Sequence, residues 1–142
     1  MKASRKQTIV AATLFLLLIM AANLNVLAQP NPVSNITNNK YALDNLKSGI
    51  NSENIGVRKS SIYFAGKYRI AEAVSYLVDR LEREDEASVR LLIAYSLYEI
   101  KDAEGMKAVK ELSIKDKDVK VKSMSFNFYE EYLNKSNTTA AI

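Results

Sequence analysis

The sequence has no cysteine and no histidine in 142 residues. Without cysteine there is no disulfide, no acylated lipobox and no thiolate nucleophile, so an exported form of the chain must be held by packing alone. Without histidine the commonest general base and the commonest metal ligand are missing, which excludes Ser-His triads and His-ligated zinc. Only four glycines are present, and they form no Gly-rich loop of the kind that cradles phosphates. No cofactor and no metal is expected.

What is present begins with a leader. Lys2, Arg5 and Lys6 precede an apolar run from Ile9 to Ala22 that only Thr13 interrupts, and Val26-Leu27-Ala28 is a small-residue cleavage site. This pattern predicts a signal peptide over residues 1–28, cut after Ala28, and export to the periplasm or the medium. The rival is a retained membrane anchor, since residues 9–28 are long enough for a bilayer core of ~30 Å. Asn23 and Asn25 would then place amide groups in lipid. Cleavage removes three basic residues and no acid, leaving 17 basic against 16 acidic side chains. The basic character is therefore a targeting feature, and no nucleic-acid partner is expected. Residues 29–39, "QPNPVSNITNN", read as a flexible linker, and the polar stretch 134–142 reads as a disordered tail.

Between these ends the sequence repeats itself. Val57-Arg58, Val89-Arg90 and Val121-Lys122 stand 32 positions apart. Around each pair a helical stripe is expected to be buried: Val57, Ser60, Ser61, Phe64 and Ala65, then Val89, Leu92, Ile93, Ser96 and Leu97, then Val121, Met124, Ser125, Phe128 and Tyr129. A second segment repeats too, with Ala71-Glu72-Ala73-Val74, Leu77 and Leu81 lying over Ala103-Glu104-Gly105-Met106 and Val109. Acidic turns precede each basic residue, so each unit is predicted to be a helix, a turn and a second helix.

The run "VRKSSIYFAGKYRIAEAVSYLVDRLEREDEASVRLLIAYSLYEI" resembles the HEAT-repeat pattern, particularly its short HEAT-like class. The resemblance covers roughly residues 41–133 and implies an all-α domain over 40–133: a short right-handed α-solenoid of antiparallel helix pairs, about two and a half units long. The period is shorter than the ~40–47 residues usual for HEAT and armadillo units. Tyr98 stands where the first unit has Gly66, and Lys122 stands where the others have arginine. Tetratricopeptide and ankyrin repeats have closer periods, ~34 and ~33, but the Trp-x-x-Leu-Gly and Thr-Pro-Leu-His signals of those families are missing. Short HEAT-like repeats also occur in bilin lyases, and no residue here carries that chemistry over.

The candidate site residues fall into three groups. Tyr63, Leu91, Tyr95 and Tyr98 are expected to form an outer patch of exposed aromatics suited to a protein partner. Tyr76, Arg80 and Arg83, with Asp79, are expected to line an inner face together with Lys107, Lys110 and Glu111. Phe126, Tyr129 and Leu133 form a second apolar stripe on the last helix with no following helix to cover it, which predicts a homodimer or a docked protein there. Arg58, Arg90 and Lys122 should reach acidic turn residues in solvated pairs of small energy, and Glu82, Glu84, Asp85 and Glu86 should form a solvated connection. The expected function is an exported, non-enzymatic protein-protein interaction module. The alternatives are a membrane-anchored accessory subunit of an envelope complex, which would keep its leader, and an envelope enzyme working through the carboxylates near Glu82 and Asp85.

Overall fold

Capping chemistry sets where the helices begin. The computed structural model of the chain describes residues 40–140, and the side chains of 41–136. The predicted leader and linker lie outside the described residues. Six α-helices follow in order: α1 (Lys40–Ile50), α2 (Ile55–Lys67), α3 (Val74–Leu81, entered through a 3-10 turn at Ala71–Ala73), α4 (Ala87–Ile100), α5 (Ala103–Lys115) and α6 (Val119–Ala140). The described residues are all-α, with no strand among them. The Asn54 side-chain oxygen accepts from the Gly56 and Val57 amides, Asp102 from Glu104 and Gly105, and Asp118 from Lys120 and Val121. Each satisfies donors that the first helical turn leaves without partners.

The ends of α2 and α4 share an unusual backbone. Arg69 and Lys101 both take positive φ, at 51° and 62°, a left-handed conformation that usually falls to glycine. They stand 32 positions apart, so the repeat extends to backbone geometry at the helix stops.

Packing organises the helices around α4. It contacts α2, α3, α5 and α6, while α5 and α6 pack against each other. Ile50, Ile62, Leu77, Ile93, Leu97, Met106, Val109 and Val121 are fully buried at the centre. Leu97→Ala should therefore cost about 2–5 kcal/mol in urea unfolding, the range for cavity-forming core substitutions. Leu92→Ala at its half-buried site should cost less, and Lys107→Ala on the surface should change little. Equal midpoints for the three variants would contradict this assignment of faces.

Two expectations are corrected. In α4 the predicted stripe is inward, with Val89, Ile93, Ser96 and Leu97 buried. In α2 the same stripe is split: Val57 is 48 % exposed and Phe64 47 % and Ser60 is exposed, whereas Ser61 is half-buried and Ala65 is buried as expected, on a face with Arg58, Ile62 and Gly66. The reason is the number of neighbours. Helix α4 lies between α2 and α6 and is covered on both sides, whereas among the described helices α2 packs mainly against α1 and α4. The second correction concerns the tail, which is helical to Ala140 rather than disordered from Asn134. No proline or glycine follows Val119 to stop the helix, and Lys135 ties the added turn down by donating to the Tyr98 hydroxyl at 3.2 Å.

Candidate interaction surfaces

The arginines of the repeat form clamps. Arg90 donates through Nε and Nη2 to the two Asp116 carboxylate oxygens at 2.7 and 2.9 Å, and through Nη1 to the Glu84 and Asp85 carbonyls at 3.2 and 2.6 Å. Arg58 repeats the arrangement one unit earlier. Its Nη1 donates to the Ser52 carbonyl at 2.6 Å and to that of Glu53 at 3.4 Å, and its Nε lies 3.0 Å from Glu84 Oε2. That last contact is ionic, because the N–H does not aim at the oxygen. Every residue in the second clamp stands 32 positions after its counterpart in the first.

These pairs are buried, not solvated as expected. The side chains of Arg58 and Glu84 are 8 % and 2 % exposed, and those of Arg90 and Asp116 are 7 % and 4 %. Glu84 is thus taken out of the predicted solvated connection. Burial pulls its carboxyl upward, but a hydrogen bond from the Glu86 amide and the charges of Arg80 and Arg58 outweigh this and leave it below the usual carboxylate range. For Asp116 the hydrogen bond from Arg90 leads, and the carboxyl is again held low. Both groups are tied into structure, which is the opposite of the raised carboxyl that a general acid needs.

The joints between successive helices differ in how they are filled. At the α2–α4 joint a Cβ on Gly66 would lie 2.6 Å from the Ser96 Cα, so the two backbones meet almost directly, and Ser96 donates to the Ile62 carbonyl at 2.9 Å. At the α4–α6 joint the equivalent positions hold Tyr98 and Phe128, stacked with centroids 5.2 Å apart. The departure from the repeat pattern at Tyr98 is matched by a departure across the joint.

This arrangement redistributes the outer patch. Tyr98 is buried beneath Phe128 and Lys135 instead of exposed, and Leu91 is half-buried against the core. Tyr63 and Tyr95 remain exposed. Beside Tyr63 lies an aromatic group that the helical phase had assigned to the core: Phe64 stacks on Tyr68 at 5.7 Å and meets Tyr63 edge-on at 6.2 Å, and the Lys67 ammonium sits over the Tyr63 and Tyr68 rings. The clue in the sequence was the cluster of Tyr63, Phe64, Lys67 and Tyr68 around the end of one helix.

On the inner face Arg80 is engaged with Glu84 at 2.7 Å, and Arg83 donates to the Asp79 carbonyl and to the Asn51 side chain, each at 3.1 Å. Tyr76 is half-buried under the Lys47 ammonium. A groove of about 630 Å³ runs between α3 and α5, with Val78, Leu81, Ala108 and Leu112 apolar along it and Lys107, Glu111 and Lys115 charged. On the last helix Phe126 is 53 % exposed. Tyr129, with the Lys110 ammonium over its ring, and Leu133 are half-buried.

Among the described residues no helix is long and apolar enough to cross a membrane, and no group of three or more acidic side chains is placed to hold a metal ion. No protein-family model matches the chain, and no curated protein matches it in sequence.

Proposed function

We propose that the chain is an exported, non-enzymatic protein-protein interaction module, built as a short solenoid of about two and a half HEAT-like helix pairs. The repeat reading is supported by the two buried arginine clamps and by the paired left-handed stops at Arg69 and Lys101. Stacked units share contacts only with neighbours, so side chains that are buried inside the stack become exposed at its ends. Export rests on the leader pattern of residues 1–28.

One observation carries the interaction reading. Phe126 stands 32 and 64 positions after Ala94 and Ile62, both fully buried, yet it is itself half exposed. A large ring at a position that the other units cover is a docking point for another chain. Capture from envelope extracts should therefore retain a species with the wild-type chain and with Lys107→Ala, and lose it with Phe126→Glu. Identical retention by all three chains would contradict this site, and no retention by any would contradict the module.

A further inference from the structure

We propose that the partner at this end is a second copy of the same chain, stacked head to tail, with the Phe126 face of α6 in one copy seated on the Val57–Phe64–Tyr68 face of α2 in the next. The inference rests on the repeat reading above and names the occupant that the reading leaves open.

The two faces are the separated halves of a joint that already exists inside the molecule. Val57, Phe64 and Tyr68 project from one side of α2. Their counterparts in α4 are Val89, Ser96 and Ile100, of which the first two are buried and the third half-buried at the side where α2 packs. At the other end, Phe126 corresponds to Ile62 of α2 and Ala94 of α4, which are buried where the next helix packs. Among the described residues no helix covers this side of α2 and none covers the Phe126 side of α6, and each face presents what the other is missing. A second copy supplies both.

Shape and charge agree with this pairing. A ring at the repeat position of Phe64 is accommodated inside the α4–α6 joint, where Phe128 stacks on Tyr98, so Phe64 within such a joint has a precedent in the same fold. Apart from Arg58, which is buried against Glu84, helix α2 carries Lys59 and Lys67 and no acidic residue. One turn beyond Phe126, the α6 face offers the exposed carboxylate of Glu130, at the repeat position of Gly66, which faces the neighbouring helix. Gly66 lies against Ser96, the counterpart of Phe64, so Glu130 of one copy falls opposite Phe64 of the next, one turn from the exposed Lys67. The contact is heterologous, so nothing in it limits assembly to two copies, and it generates rings or open chains.

The absence of cysteine makes the test direct. Full-length Phe64→Cys and Phe126→Cys chains are prepared separately, mixed in equal amounts and oxidised with copper-phenanthroline. Both substituted positions are half exposed, so the fold tolerates them. The mixture should yield the 64–126 cross-linked product in roughly ten-fold excess over either same-site product, the preference that one good contact confers. The doubly substituted chain should give a ladder of trimers and longer species. A dominant 126–126 product would overturn the proposal in favour of a symmetric dimer through α6. No product in either sample would overturn it as well, assigning the α2 face to another occupant, such as residues ahead of Lys40. If cross-linking fails while Phe126→Glu still abolishes capture from extracts, head-to-tail stacking falls and the interaction module stands.

Discussion

Arg90→Ala should destabilise the chain by about 3–5 kcal/mol, the cost of breaking a buried ion pair and leaving its partner uncompensated. The guanidinium satisfies both Asp116 oxygens and two backbone carbonyls in a space that is 7 % exposed on the arginine side and 4 % on the aspartate side. Truncation leaves a buried carboxylate and the Glu84 and Asp85 carbonyls without this donor. Against a total stability of ~5–15 kcal/mol for a domain, that loss should move the urea midpoint more than any surface substitution. Arg90→Lys should recover little, because one ammonium cannot reproduce a planar fork that reaches a carboxylate and two carbonyls together.

The same clamp predicts an acid limit. Asp116 and Glu84 titrate below their ordinary values in the folded chain, so the unfolded chain takes up protons first as pH falls. The stability they contribute is fully present above about pH 5, where unfolded carboxyls are ionised, and is lost as pH falls through the lower folded values. Melting temperature should drop steeply below about pH 4 in the wild type and less steeply in Asp116→Asn. Parallel curves would mean that Asp116 contributes nothing to the acid limb.

Gly66→Ala should be the second large effect. In an exposed helix, alanine for glycine gains about 1 kcal/mol of helix stability. Here the added methyl would sit 2.6 Å from the Ser96 Cα and 2.7 Å from its Cβ and Oγ, so α2 must move off α4. Overpacking of this kind costs about 1–3 kcal/mol, and lifting α2 also loosens Ile62 and Ala65. Ser96→Gly should not rescue the variant, since the nearest atom is the Cα itself. Thermal unfolding followed by circular dichroism checks both statements; a Gly66→Ala chain as stable as the wild type would show that the two helices are not in backbone contact.

The all-α character was legible in the sequence because apolar residues recur at helical spacing around the Val-Arg pairs. What periodicity cannot carry is whether a neighbour exists. Phe64 and Ser96 occupy the same phase, yet Ser96 is buried by α2 while Phe64 has no described helix over it. Tyr98 failed for the converse reason: a helical wheel centred on Val89 sends it outward, but α6 occupies that side. The arginine clamps were half legible. Their acidic partners could be read from the turns, but the four carbonyls that draw the guanidinium groups inward have no signature in side-chain sequence, and without them an arginine near an aspartate looks like a solvated pair. The pairing of Arg80 with Glu84 was hidden for the same reason, since nothing in the sequence marks Glu84 as buried.

If the domain is a stack of units held joint by joint, damage at one joint should stay local, since each unit touches only its neighbours. Hydrogen exchange of Asp116→Asn measures this most directly. Amides of α6 and the adjoining end of α5 should lose protection, while those of α1 to α3 keep wild-type rates. Equal loss of protection across all six helices would show a single cooperative bundle and contradict the stacked-unit account.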